Sequence, residues 1–403
     1  MPPGWIAAKI GDLFDAWGGL TPPKSNSSYW ADGIIPWVSS RDVKYPYLSS
    51  STHTVTQTAI DETRLRICPS GSVLVVVRSG ILAHSLPVTV TKVPVTINQD
   101  LKAFYSPEPF LNEWLALFLR LSARKLLSSS RRDGTTVQSV QFPLLKNTVM
   151  PVPPVDQRRR IIASIGDLST TQRTVSRRLT YSQELIERHR QAVLVAASSG
   201  RLTEDWRREQ ASEPDGDTPS GWQSVTLAEI TECLDRVRKP INATERSRRV
   251  GSVPYYGANG QVGTIDESLF DEELVLVVED ETFTGRTKPF SYIISGPAWV
   301  NNHAHVLRAS PRVLPEALNI LLSYYNFIPL TSGSTGRQKL TQKALMDARI
   351  SLPPLAEQGE IVRRVRELMK GSDEVATRLN TAKSLLGLTG QAALAKAFQG
   401  ELF

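Results

Sequence analysis

The chain has 403 residues, 40% of them hydrophobic and 22% charged, with a formal net charge of +7. These proportions exclude a disordered or fibrous chain and allow two or three domains with proper cores. No apolar run approaches the roughly 18 residues of a membrane span, the opening Met1-Pro2-Pro3-Gly4-Trp5 lacks a basic-then-apolar signal pattern, and cytoplasm is the expected location. Cys68 and Cys233 stand alone without CxxC spacing or His partners, which sets aside disulfide frameworks and zinc ribbons.

The basic excess is uneven. Residues 1–150 carry 15 basic and 10 acidic groups, 151–204 carry 9 and 5, 205–350 carry 16 and 19, and the rest 7 and 6. A basic balance points weakly to a polyanion partner, and the acidity of the third stretch makes any nucleic-acid site there a local one.

Residues 1–150 read as a first globule. It opens on a turn-rich loop, Gly18 to Asn26, followed by a short strand at Ile35-Pro36-Trp37-Val38. Val73 to Arg78 reads as a buried strand, Pro87 to Val95 as a β-branched one, and Asn112 to Leu127 as a helix. The polar run Ser128 to Thr136 that follows has the hydroxyls, amides and paired guanidinium groups that hold a phosphate backbone. Pro151-Val152-Pro153-Pro154 is a stiff, extended entry to a long helix assigned to 151–204. Arg158, Arg159 and Arg160 in its first turns read either as contacts to DNA phosphate or an acidic partner, or as a solvated face.

Residues 205–221 are polar, with Asp, Glu, Pro and Gly, and read as a linker. Gly221-Trp222 then restarts what Gly4-Trp5 began, and 222–350 form a second globule with strands at Leu274 to Val278, Phe290 to Ile294 and His305 to Leu307. Its Tyr256-Gly257-Ala258-Asn259-Gly260 motif fits tight turns between strands and lacks the strand-then-helix context of a phosphate loop. Residues 351–403 form a second long helix.

The two helices repeat each other at an offset of 200. Ile161, Ile165, Leu168, Gln172, Val175, Leu179, Ile186, His189 and Val193 fall on a four-three spacing, matched by Ile361, Val365, Leu368, Ser372, Val375, Leu379, Leu386, Thr389 and Ala393. Sustained heptads of this kind define a coiled coil, and roughly 40 residues make a rod of about 60 Å. An antiparallel pairing that sets Gln172 against Thr389 and His189 against Ser372 also aligns Leu168 with Ala393, Val175 with Leu386, Ile186 with Val375, and Val193 with Leu368. The order of globule, Pro-Pro and long helix, taken twice, is a duplication. The expected fold is α+β: two globules of mixed short strands and helices, separated by two long helices in an antiparallel coiled coil with pseudo-twofold symmetry.

Leu352-Pro353-Pro354-Leu355-Ala356-Glu357-Gln358 with Ile361-Val362 resembles the repeated motif of type I restriction–modification specificity subunits (the S, or HsdS, family). Ala197 to Thr203 and Ala397 to Leu402 resemble the ends of that family's long helices. Ile35 to Val38 with Asp42 and Asn98-Gln99-Asp100 resemble one kind of its target recognition domain, and Tyr256 to Gly260 with Trp299 to Leu307 resemble another. The first copy departs from the motif, reading Val155-Asp156-Gln157-Arg158. The resemblance implies two target recognition domains, each reading half of a bipartite double-stranded DNA sequence. The helices would set the half-site distance and dock two modification (methyltransferase) subunits, with restriction (translocase–nuclease) subunits joining through that core. The family's S subunit performs no chemistry, so S-adenosylmethionine, ATP and Mg²⁺ are implied for the partners and no cofactor for this chain. Other readings are a type II-like or methylation-only complex, a coiled-coil protein scaffold without a DNA role, and a stand-alone nuclease.

Base and phosphate contacts call for Asn, Gln, Arg, Lys, Ser and Thr on loops. The first globule offers Lys24, Asn26, Arg41, Lys44, Arg78, Arg131, Arg132, Thr135, Thr136 and Gln138. The second offers Tyr256, Asn259, Gln261, Arg286, Ser334, Thr335, Arg337, Gln338 and Lys339. The runs at 131–138 and 334–339 occupy corresponding places in the two copies. The chain contains no Asn/Asp-Pro-Pro-Tyr/Phe methyltransferase motif and no Walker A motif. Asp280, Glu281 and Lys288 carry the residue types of a metal nuclease, and His303 and His305 could bind metal, but no third ligand is evident and strand packing or hydrogen bonding is the expected role.

Overall fold

The structure is a computed structural model that describes residues 1–129, 139–210, 219–281, 283–333 and 338–401. It divides into two units, Met1–Arg178 with Thr381–Phe403 and Leu179–Asn380, and the division falls inside both long helices.

In the first unit the strands Ile6–Lys9 and Val149–Val152 pair antiparallel and close the globule at its entry and exit. Between them lie a five-stranded sheet, ordered Asp15–Gly18, Leu101–Tyr105, Val73–Val76, Val88–Thr91 and Tyr47–Leu48, and a three-stranded one built on Ile35–Val38. Every residue of Val73–Val76 is buried. Side chains alternate across a strand, so Val73 and Val75 enter the core beneath the helix Leu111–Leu121, while Leu74 and Val76 enter a second core with Val38 and Ile97. The expected helix from Asn112 to Leu127 is in fact two, Leu111–Leu121 and Ala123–Ser129, because Ser122 at ψ −1° leaves helical geometry.

The second unit repeats this plan. Gln223–Thr226 pairs with Arg349–Leu352, and Leu274–Val278 is buried throughout, with Val275 and Val277 in one core and Leu274 and Leu276 in another. The helix Pro315–Ser323 supplies Leu318 and Leu322 to the first of these cores.

The long helices are Val155–Ser198 and Leu355–Gln399. Each starts later than expected, because Val149–Val152 and Arg349–Leu352 are ribbon strands of the globules. Within each unit the two helices run antiparallel. Gln172 donates to Leu386 O at 3.1 Å and to the Thr389 hydroxyl at 3.3 Å, with its amide against Gly390. In the second unit Gln183 donates to Asn380 Oδ1 at 2.8 Å, and Arg190 pairs with Asp373. Opposite positions 189 and 372 form no hydrogen bond to each other among the described residues: Ser372 donates its hydroxyl to Leu368 O, and His189 is exposed. The buried apolar seam residues named here lie near the helix ends, where the globular cores cover them: Ile161 and Ile165 in one unit, Val193, Ile361 and Val365 in the other; Ser372 is buried in mid-helix. Leu368 and Val375, expected inside the seam, are 38% and 48% exposed, since two helices alone leave each other partly uncovered.

The first turn of each helix anchors its globule at the same offset of 200. Trp5 Nε1 donates to Gln157 Oε1 at 3.0 Å, and Trp222 Nε1 to Glu357 Oε2 at 2.8 Å. One residue on, Arg158 donates to Pro109 O and Pro153 O, as Gln358 does to Arg312 O and Pro353 O. Arg158 is 2% exposed and paired with Glu108 at 2.6 Å. It is therefore not a DNA or partner contact, and only Arg159 and Arg160 face solvent.

Part of the expected linker is structured. Glu204–Gln210 is a helix whose Arg207, 5% exposed, bonds Glu357, Thr203 and Gly200 O; residues 211–218 lie outside the described residues. Gly200 and Gly400 both sit at φ 76°, and a Cβ would lie 2.6 Å from Pro219 Cγ at the first and 2.2 Å from Pro2 Cγ at the second, so glycine is required at both. Removing one member of a buried ion pair strands the other. Arg207→Ala is therefore expected to lower stability by about 3–5 kcal/mol, whereas Gln157→Ala, at the place equivalent to Arg207's partner Glu357, loses one neutral bond worth about 1 kcal/mol. Urea midpoints of the two variants check this.

Candidate nucleic-acid interface

In the first unit Lys24 borders a recess of about 490 Å³ lined also by Ser27, Trp30, Ala31, Trp37 and His53. Trp30 and Trp37 meet edge to face at 5.3 Å. Their indole N–H groups are spent on Pro23 O and Leu20 O, which closes the turn-rich loop over them. Asn26 caps the short helix Ser27–Tyr29 by accepting from Ser28 N at 3.1 Å.

Arg41 and Lys44 are exposed and make no ion pair among the described residues. They flank Asp42, which accepts from Ser39 N at 2.8 Å and Thr52 N at 2.9 Å and so fixes their loop. Burial raises the Asp42 pKa, but the hydrogen bonds from Thr52 and Ser39 outweigh it and hold the carboxyl below its ordinary range. Arg78 pairs with Asp100 at 3.1 Å and bridges to Ser139, at the edge of the 130–138 run. Arg131, Arg132, Thr135, Thr136 and Gln138 lie outside the described residues, as do Ser334, Thr335 and Arg337 of the second unit.

The second unit brings Asn259 and Arg286 together across 27 residues: Arg286 Nη2 donates to Asn259 Oδ1 at 2.9 Å and to Pro289 O at 2.9 Å. Tyr256 is half-buried beside Tyr292, and exposed Gln261 donates to Gly263 O at 3.1 Å. Gln338 accepts from Thr284 N and Oγ1, both at 3.0 Å. Lys339 reaches Glu279 Oε1 at 3.0 Å.

Glu279 was not legible as a hub. It is 7% exposed and joins Lys339 to Arg238, whose Nη1 lies 2.6 Å from Glu279 Oε2 and whose Nη2 lies 3.1 Å from Asp235 Oδ2. His305 Nδ1 meets Asp235 Oδ2 at 2.5 Å, and its Nε2 meets Leu340 O at 2.8 Å. This ionic core therefore holds the strand Gln338–Leu340 that carries Gln338 and Lys339.

Cys233, Asp235 and His305 place ligand atoms within 4.8 Å of one another. Both nitrogens of His305 are nonetheless taken, and burial pushes the Cys233 thiol up to about 11, so the geometry is that of a hydrogen-bonded anchor. His303, exposed and outside the strand Ala304–Ala309, bonds Asp280 at 2.6 Å; the Glu281 side chain lies outside what is described.

Burial raises the Asp235 pKa, but the His305 hydrogen bond and charge, the bond from Val306 N and the Arg238 charge outweigh it, so the folded value is below the ordinary one. A depressed carboxyl contributes stability above its unfolded pKa of about 3.9 and loses it as pH falls through the lower folded value. The stability gap between the natural chain and Asp235→Asn is thus expected to be full near neutrality and to close below about pH 4, as read from urea midpoints across pH.

Two unlike globules on one duplicated helix frame, each presenting basic and amide side chains on loops, define a tandem recognition protein. The chain belongs to the type I restriction modification DNA specificity domain family, whose profile matches residues 2–179 and 219–383, and it is a specificity subunit. The EcoR124I/EcoR124II specificity subunit of Escherichia coli is 30% identical over 176 residues, 44% of each chain. The EcoKI specificity subunit of Escherichia coli strain K12 is 22% identical over 432 aligned positions, covering 100% of this chain and 90% of the other. Among solved structures, a chain from work on complex assembly and conformational transition of the type I R-M system superposes with a TM-score of 0.72 at 20% identity, covering 100% and 99% of the two chains. The HsdS subunit of Thermoanaerobacter tengcongensis gives 0.56 at 20% identity, covering 100% and 98%. Among the described residues no helix is long and apolar enough to cross a membrane.

Proposed function

We propose that the chain selects the DNA sequence for a type I restriction–modification complex, each globule reading one half of a bipartite target. The observation that carries this is the repeated anchor: Trp5 on Gln157 and Trp222 on Glu357 seat two different globules on equivalent helix starts. A device with a constant frame and variable readers needs that arrangement. The paired helices, 44 and 45 residues long, act as the spacer, each about 65 Å at 1.5 Å per residue.

The exposed loops supply readout. Lys24, Arg41 and Lys44 are assigned to DNA, as are, from their residue types, Arg131, Arg132, Thr135, Thr136, Gln138, Ser334, Thr335 and Arg337, with Asn26, Arg78, Tyr256, Asn259, Gln261, Arg286, Gln338 and Lys339 in supporting places. Methyl transfer and translocation belong to partner subunits, with S-adenosylmethionine, ATP and Mg²⁺ bound there. Two methyltransferase subunits dock on the helices, and restriction subunits join through them. Leu185 and Leu385, equivalents at the offset of 200, are 44% and 56% exposed, and this reading assigns one to each methyltransferase subunit.

Leu185→Glu or Leu385→Glu alone is expected to leave one methyltransferase subunit per chain in co-purification, and both together none. The reading as a whole is tested by methylome sequencing of cells carrying this chain and its partners. A bipartite modified motif supports it. Binding to partners without any sequence preference on duplex DNA favours a protein scaffold instead.

A further inference from the structure

Six cations, Arg236, Arg238, Lys239, Arg246, Arg248 and Arg249, fall within 14 residues that hold a single acid, Glu245, although the surrounding globule has more acidic than basic groups. The structure sorts them in two. Arg238, Arg246 and Arg249 are partly buried and engaged. Arg238 lies between Asp235 and Glu279; Arg246 sits 5.0 Å from the Tyr255 ring centre; Arg249 sits 4.7 Å from that of Trp299 and pairs with Asp266 at 2.7 Å and Glu267 at 2.8 Å. These three fasten the segment, helped by Trp299 Nε1 donating to Lys239 O at 3.0 Å and by Asn242 capping the helix Ala243–Arg248.

Arg236, Lys239 and Arg248 are exposed, and their side chains make no ion pair among the described residues. Exposed cations that no carboxylate of the described residues neutralises leave a positive local potential that favours an anionic partner. The segment also starts beside the expected reading loop, because Arg238 and Lys339 share the Glu279 carboxylate at 2.6 and 3.0 Å.

We infer that Arg236, Lys239 and Arg248 form phosphate contacts for duplex DNA on the second unit, on the segment that Arg238 and Glu279 tie to Lys339. This rests on the reading of the chain as a DNA specificity subunit. These contacts position the duplex and carry no base preference of their own, since phosphate contacts hold register without encoding sequence.

The test uses the full chain with its methyltransferase subunits, a long duplex of mixed sequence and one carrying the modified motif. In Arg236→Ala/Lys239→Ala/Arg248→Ala, the slope of log affinity against log salt is expected to fall by about 1 per residue, about 3 in all. Binding weakens equally on both duplexes, and the melting temperature is unchanged. Arg236→Lys/Arg248→Lys retains the slope. If the natural complex binds DNA and the triple variant keeps its salt slope, the phosphate contacts are refuted while the specificity role stands. If the natural complex binds neither duplex, both fall.

Discussion

Exchanging residues 227–348 for the second globule of another family member is expected to change one half-site and leave the other half-site and the spacer intact. The cut lies inside the ribbon of Gln223–Thr226 with Arg349–Leu352, so Trp222 on Glu357 and Arg207 on Glu357 are kept. Each mismatched base pair costs about 1–3 kcal/mol. A hybrid offered the old second half-site, wrong at three positions, should therefore bind it at least ~10²-fold more weakly. Methylome sequencing of cells with the hybrid reads this out, and a change in both halves would mean that the two globules do not recognise DNA independently. Val193, Ile361, Val362 and Val365 of the long helices share a core with this globule, so the donor must keep matching apolar volume.

Adding a heptad to each long helix, after Arg178 and after Asn380, is expected to lengthen the spacer. Seven residues add about 10 Å of helix, close to three base pairs at 3.4 Å each. Equal insertions preserve the register that joins Gln172 to Leu386 and Thr389, and Gln183 to Asn380. A heptad in one helix alone slips that register by two turns and separates those pairs, so assembly should fail. If the double insertion modified sites with the original spacing, the helices would not be the spacer.

Much of this architecture was legible because it is written in short periods. The seam at 3.5-residue spacing and its copy at an offset of 200 need no knowledge of neighbours, and the strand Leu274–Val278 was read at its observed bounds from apolar run length alone. Other readings failed where a distant residue decided the outcome. Arg158 looked like a free cation because Glu108, its partner, lies 50 residues away. The segment read as a linker held Arg207, whose helix is fastened by Glu357, 150 residues on.

Within the interface the same division holds. Asn26 and Gln338 have the side chains of base readers, yet the first caps a local turn and the second is held by Thr284. Glu279 is one acid among many in the sequence, and it becomes a hub only when folding brings Arg238 and Lys339 to its two oxygens.

The sequence by itself determined the duplication, the long helices with their antiparallel pairing of Gln172 and Thr389, and the family, because periodic apolar spacing and motif order survive without coordinates. Only the tertiary structure decided which charges are spent inside the protein and which face outward. A charged side chain's role depends on whether an opposite charge reaches it within a few ångströms, and that is set by packing between segments far apart in the chain.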